Sequence, residues 1–325
     1  MKVLFCDEGY SEARRRLAAL DPALEIAACP RDSVRDYLSG VDVVVPYMAT
    51  IDAAIIRAGS FGLIQQFGVG LETVDIGAAT AAGVWVARVP SAGTGNAESV
   101  AEHALLLMLA LARRLPQAFD ALRARRLGEP SGIALAGKTA CIVGLGSAGS
   151  ALAIRLSALG MRLIAARKNV GGAVPHGVNI ARTYDLAHLR EAVSHADFII
   201  ITARFEHDAR HLFNRAVLAA VKPGAFVVNV ARGAFIDHEA LSEALRGGRI
   251  AGAGLDVLEG EPIAPSDPLL ALNVIATPHI AGVTDASYEG IASQLAASIR
   301  RYAAGEPPLH AVNAPSNPRG RVDRK

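Results

Sequence analysis

Six consecutive residues narrow the fold more than any other feature of the chain. Gly144-Leu145-Gly146-Ser147-Ala148-Gly149 stands directly after an apolar run at 139–143 and directly before a helical pattern at 150–159. In such a strand–turn–helix setting the first glycine permits the tight turn. The second lets the backbone approach a pyrophosphate, and the third lets the helix pack closely on its strand. The pyrophosphate then meets unpaired N–H groups at a helix N-terminus. Glycine-rich strings recur by chance, but in this setting the string predicts a dinucleotide site.

Short apolar runs alternate with helical patterns over the whole chain, which predicts parallel sheets covered by helices. Strands are expected at 3–6, 26–28, 41–45, 63–67 and 84–87, with helical spacing between them around Leu17, Tyr37, Ile55 and Ala79. A long helix follows, with Asn96 as its expected cap. Glu98 and Glu102 sit near its positive end and Arg113 and Arg114 near its negative end, the charge order that suits a helix dipole. Residues 126–137 are loop-like. A second series has expected strands at 139–143, 162–165, 198–202, 226–230, 254–257 and 274–276, then a last helix with Tyr288, Ile291, Leu295, Ile299 and Tyr302 on one face. The polar tail from residue 313 is expected to be poorly ordered.

With 33 basic and 31 acidic residues, net charge is +2, and nothing draws the chain to nucleic acid or to an anionic membrane. The densest apolar stretch, 104–112, is far shorter than the roughly 20 residues a bilayer requires. A cytoplasmic protein is expected. Cys6, Cys29 and Cys141 form no CxxC pair and no metal-ligand set, so they read as reduced core thiols, with no metal expected.

Past the end of the second strand of a dinucleotide fold, about 20 residues beyond the glycines, an acid commonly holds the adenosine ribose. Here Arg167 and Lys168 occupy that place and no carboxylate does. They are either a solvated pair or a pocket for a 2′-phosphate. The second reading makes NADP the expected cofactor, with NAD the alternative.

Three further segments each place a functional residue type just beyond a strand end: Arg232 in Val228-Asn229-Val230-Ala231-Arg232-Gly233, Glu261 in Leu258-Glu259-Gly260-Glu261-Pro262, and His279 in Thr277-Pro278-His279. That edge of an open parallel sheet is where ligands bind. Reduction of a 2-oxoacid requires a hydride from nicotinamide and a proton on the carbonyl oxygen. An imidazolium is a suitable donor, a neighbouring carboxylate favours its protonated form, and a guanidinium grips the substrate carboxylate and polarises the carbonyl. Each residue taken alone has a bland counterpart: a surface charge, a solvated loop acid or a structural histidine. Their order and spacing after the glycine turn favour function. The other eight histidines, His103 among them, lie in helical or loop contexts without such company.

Together these blocks resemble the D-isomer-specific 2-hydroxyacid dehydrogenase family over nearly the whole chain. Its other marks are Phe67-Gly68-Val69-Gly70, Asn96-Ala97-Glu98-Ser99-Val100-Ala101-Glu102, Lys222-Pro223-Gly224, and Leu255-Asp256-Val257 followed by Glu261-Pro262. The resemblance implies an α/β protein of two doubly wound parallel-sheet domains. A flavodoxin-like substrate domain would span 1–97 plus 286–325, and a Rossmann NAD(P)-binding domain 98–285. It implies that Arg232 binds and polarises the substrate, that His279 is the acid/base and that Glu261 supports it. Ala231 and Asp256 would lie by the cofactor, Val69 and Gly70 would hold the substrate carboxylate, and the long helix would join a homodimer. Three places depart from the family pattern: Leu71-Glu72-Thr73 after the first glycine turn, Arg88, and Arg204 where a proline is common. A small 2-oxoacid of glyoxylate or hydroxypyruvate type is the first expectation, with D-lactate, 3-phosphoglycerate and phosphite dehydrogenases as alternatives. A nicotinamide-sensing corepressor-like binding protein is the alternative from another class.

Overall fold

A computed structural model describes residues 1–205 and 207–320. The chain divides into two compact units, Met1–Asn96 with Thr284–Lys325, and Ala97–Val283. The first holds strands β1 (Lys2–Phe5), β2 (Glu25–Ala28), β3 (Val43–Val45), β4 (Leu63–Gln65) and β5 (Trp85–Ala87), with helices α1 (Ser11–Leu20), α2 (Ala53–Ala58) and α3 (Ile76–Ala81) between them. The second opens with α4 (Asn96–Ala112) and α5 (Leu115–Arg123). It continues with β6 (Thr139–Val143), α6 (Ser147–Ala158), β7 (Arg162–Ala166), β8 (Ile180–Tyr184), α7 (Leu189–Ser194), β9 (Phe198–Ile201), α8 (Arg215–Ala220), β10 (Ala225–Asn229), α9 (His238–Arg246), β11 (Ile250–Leu255) and β12 (Val274–Ala276). Helix α10 (Asp285–Ala303) returns the chain to the first unit.

Both sheets are entirely parallel. The first has order β2-β1-β3-β4-β5, the doubly wound order of flavodoxin-like folds, and the second has order β12-β11-β10-β9-β6-β7-β8, the dinucleotide-binding order with one further strand. Strands covered on both faces read as unbroken apolar runs, and β9, Phe-Ile-Ile-Ile, is fully buried along its length. Two apolar layers sandwich each sheet. In the first unit one layer joins Val3, Phe5 and Leu17 to Ile291, Leu295 and Ile299 of α10, so the returning helix completes that core.

Four local expectations change. Strand β8 has no counterpart among the expected strands because it is an edge strand in which Ala181 and Arg182 are exposed and only Tyr184 is buried, leaving little apolar signal. The segment around Tyr37 is a 3₁₀ stretch, Arg31–Tyr37, interrupted at Ser33, rather than an α-helix. Asn96 is the first residue of α4, and its amide donates to Ser287 Oγ at 3.0 Å. The tail is held over 313–320, and the rest of the expected disordered stretch, 321–325, lies outside the described residues. Asn313 bridges Thr80, Val84 and Val86, while Arg319 donates to the carbonyls of Ile56 and Gly59.

Candidate active site

The glycine turn follows β6 at the place where the second sheet changes its direction of winding, between β6 and β9. Gly144 has φ +94° and donates its N–H to Ala166 O at 2.8 Å, tying the turn to the end of β7. A Cβ on Gly144 would lie 2.3 Å from Ala203 Cα, and one on Gly149 would lie 2.1 Å from Gly144 O. Neither position admits a side chain. At Gly146 a Cβ would meet nothing within 4 Å. The turn is therefore packed on its inner side and open on its outer side, and α6 begins there without a side-chain cap, leaving its first N–H groups unpaired by any cap. An anionic pyrophosphate fits that cradle by shape and by charge.

Arg167 and Lys168 directly follow Ala166, so they border the turn. The Arg167 guanidinium donates to the carbonyls of Val170, Gly172 and Ala173, while its Nε is buried with no partner among the described residues. Lys168 Nζ lies 3.1 Å from an Asp208 carboxylate oxygen. Arg204 is exposed and follows Ala203, the residue against Gly144.

Beyond β10 the chain turns sharply around Asn229, which is 1% exposed. Its Oδ1 accepts from Ala231 N at 3.0 Å and its Nδ2 donates to Arg232 O at 2.8 Å. Both expected residues of that turn are thus set by one buried amide that the sequence shows only as part of a motif. Gly233 brings this turn against the next loop, since a Cβ there would lie 2.0 Å from Leu258 C.

In that next loop, beyond β11, Glu261 Oε1 accepts from Leu258 N at 2.7 Å and Oε2 lies 2.8 Å from His279 Nδ1. Burial alone would raise the Glu261 carboxyl. The hydrogen bond and charge of His279, the Leu258 N–H and the nearby Arg232 guanidinium outweigh it and hold the group below the usual carboxylate range. Because Nδ1 is committed to Glu261, Nε2 is the nitrogen left to exchange a proton with a substrate. The structure thus brings Glu261 and His279 into contact, with Arg232 close enough to act on Glu261.

His279 sits in a left-handed turn, φ +56°, and its N–H donates to Asp256 O and Thr277 O. Asp256 is 1% exposed. Its carboxylate accepts from Thr277 Oγ1 at 2.6 Å, Ile280 N at 2.8 Å and Ala281 N at 2.8 Å. Asp256 therefore fixes the turn on which His279 stands. His103, from α4, completes this arrangement, with Nε2 2.9 Å from Thr277 Oγ1 and 3.4 Å from Asp256 Oδ1. Since the Thr277 hydroxyl gives its proton to Asp256, it accepts from His103. Sequence reasoning passes over His103, because its partners lie more than 150 residues away and no local pattern announces them.

In the first unit, Val69 and Gly70 lie in the turn beyond β4. The Gln66 amide secures this turn, donating to Gly70 O at 2.6 Å and Tyr47 O at 2.9 Å. Arg88 directly follows β5.

Residues 105–281 match the family described as D-isomer specific 2-hydroxyacid dehydrogenase, NAD binding domain. The chain is 34% identical over 322 residues to the D-3-phosphoglycerate dehydrogenase of Archaeoglobus fulgidus, covering 97% of this chain and 60% of that protein. It thus spans about 60% of the length of that curated relative. A crystal structure of a protein from Thermus thermophilus superposes with a TM-score of 0.83 at 31% identity, over 96% of this chain and all of that one. The NADPH-dependent glyoxylate/hydroxypyruvate reductase of Sinorhizobium meliloti, solved with NADP and malonate, superposes with a TM-score of 0.82 at 26% identity, over 99% of each chain.

Proposed function

The chain belongs to the D-isomer specific 2-hydroxyacid dehydrogenases, and on that premise we propose that it reduces a small unphosphorylated 2-oxoacid, of glyoxylate or hydroxypyruvate type, to the D-2-hydroxyacid with NADPH. The observation that carries this reading is the 2.8 Å contact between Glu261 and His279 Nδ1, which leaves Nε2 for proton transfer. When bound, the reduced nicotinamide supplies the hydride to the carbonyl carbon. His279 Nε2 delivers the proton to the carbonyl oxygen, and Glu261 steadies the imidazolium before it does so. Arg232 pairs with the substrate carboxylate and polarises the carbonyl. The N–H groups of Val69 and Gly70 are assigned to carboxylate binding, and Ala231 and Asp256 would help to hold the cofactor.

The choice of NADPH rests on Arg167 and Lys168, which stand where a ribose-binding acid is common. Two cations favour a 2′-phosphate by about 1.5–3 kcal/mol at a half-exposed site, on the order of 10- to 150-fold in kcat/KM. We further assign a homodimer. Helix α4 packs Leu107, Met108 and Leu111 on its own unit but exposes Leu106 and Leu109, and α5 exposes Phe119 and Leu122. A second copy would cover that apolar surface, and light scattering that returned a monomer at micromolar concentration would refute it. Among the described residues no helix is long and apolar enough to cross a membrane, and the proposed location is the cytoplasm.

The names of the curated relatives favour a second reading, oxidation of D-3-phosphoglycerate. One experiment separates the two. Turnover is measured with glyoxylate, hydroxypyruvate, pyruvate and D-3-phosphoglycerate, each with both cofactors in the matching redox state. A higher kcat/KM for glyoxylate or hydroxypyruvate with NADPH is the expected result. Preference for D-3-phosphoglycerate, or equal efficiency with the two cofactors, would overturn the corresponding half of the proposal.

A further inference from the structure

The turn that carries Arg232 and the loop that carries Glu261 meet at Gly233, and a third segment closes on both. Beyond β9, His211 N donates to Ala234 O at 2.8 Å and Phe213 N to Phe235 O at 2.9 Å, while Asp237 N donates back to Phe213 O at 3.1 Å. Residues 211–213 are thus fastened to the stretch that follows Arg232. His211 itself holds φ +52°, a left-handed conformation uncommon for residues other than glycine, though histidine adopts it more readily than most. Its Nε2 lies 2.9 Å from Glu259 Oε2, and Arg210 lies 2.5 Å from Oε1 as an ion pair off the hydrogen-bonding direction. Glu259 stands two residues before Glu261 and takes no part in the Glu261–His279 contact.

The loop needs such a hold. Between the end of β11 and the 3₁₀ turn at Pro268–Ala271 it forms no helix or strand. Glu261 steadies it from within through the bond to Leu258 N. A carboxylate that must meet an imidazole at 2.8 Å loses effect when its backbone wanders. We propose that His211 is a positioning residue for the proton-transfer pair: through Glu259 it fixes the loop at 257–262, so that Glu261 keeps its approach to His279. This rests on the 2-oxoacid reductase reading of the same site.

His211→Ala is expected to lower kcat about 10-fold while KM for NADPH and for the 2-oxoacid stay within about 2-fold. His211→Gln, whose amide N–H can still reach Glu259, is expected to recover kcat to within about 2-fold of wild type. Glu259→Ala should match His211→Ala, and the double variant should be no worse than either, as for two residues acting as one unit. Hydrogen exchange of the amides at 258–261, which requires no turnover, should quicken in His211→Ala. Unchanged kcat or unchanged exchange in that variant overturns the proposal. So does a loss that Gln fails to recover and that follows the melting temperature, which would mark a role in folding alone. If the wild type turns over none of the 2-oxoacids but the loop amides still respond, the substrate reading fails and the clamp stands.

Discussion

The two sheets share one winding rule and treat its consequence in opposite ways. Each reverses its direction of winding between neighbouring strands, β1 and β3 in the first unit, β6 and β9 in the second, and each reversal opens a crevice beyond the strand ends. In the first unit the residues beyond those ends are Tyr10 and Tyr47. Their rings stack at 3.9 Å and 8°, with Phe67 and Phe5 at 5.5 and 5.9 Å from Tyr47. Tyr47 is 7% exposed and its hydroxyl has no hydrogen-bond partner among the described residues. In the second unit Gly144 directly follows β6 and Ala203 lies two residues beyond β9, and the side of the turn at Gly146 is open. Topology therefore supplies a crevice, and side-chain volume decides whether it becomes core or a ligand site.

That contrast can be broken from either end. The largest effect is expected at the second sheet's rim. His279→Ala should lower kcat by about 10³-fold or more, while NADPH binding, followed by fluorescence, changes by less than about 3-fold. A variant retaining a tenth of wild-type turnover would remove His279 as the proton donor. Next, Gly146→Val puts a side chain into the open crevice and makes it resemble the filled one. Affinity for NADPH should fall about 100-fold, near 2.7 kcal/mol, with the melting temperature almost unmoved because no protein atom is displaced. Unchanged affinity would mean that the pyrophosphate lies elsewhere.

The opposite change empties the filled crevice. Tyr10→Ala removes half of the aromatic stack and should lower stability by about 1–2 kcal/mol in urea unfolding, leaving NADPH affinity as it was. A variant as stable as wild type would show that the stack fills space without holding the unit together. The smallest effect is electrostatic. Glu261 is held below its ordinary value in the folded protein, so its contribution is complete above the unfolded carboxylate value. It is lost as pH falls through the lower folded one. Glu261→Gln should remove that acid-side loss, less than about 1 kcal/mol, measured as urea midpoints from about pH 6 to about pH 3. Identical slopes for the two proteins would contradict the shift.

What the sequence discloses depends on how far apart the interacting residues lie. Arg232, Glu261 and His279 are legible because each belongs to a short block next to an apolar strand, and the glycine turn because its spacing states its geometry. The alternation of runs announces parallel sheets, whereas the order of the strands within them is seen only in the structure. His103, and the pairing of His211 with Glu259, are not legible in this way. They act across long separations, 174 and 48 residues, through single side chains with no periodic signature. The tail misleads for a related reason. Asn313 and Arg319 look like solvent residues to any hydropathy measure, yet they serve as hydrogen-bond bridges to backbone atoms of the first unit. Arg167 shows the reverse case, a cation legible by position whose guanidinium is engaged by the carbonyls of its own loop.

The first unit is written in two pieces, and α10 brings Ile291, Leu295 and Ile299 to a core begun by Val3, Phe5 and Leu17. On the ribosome this sets an order of events. The residues up to Asn96 emerge with one apolar layer uncovered, while the second unit, contiguous in sequence, can close as soon as its last strand is out. The part of the protein made first is thus the part finished last, and a nascent chain stalled short of α10 should pair a protease-resistant second unit with a protease-sensitive first one.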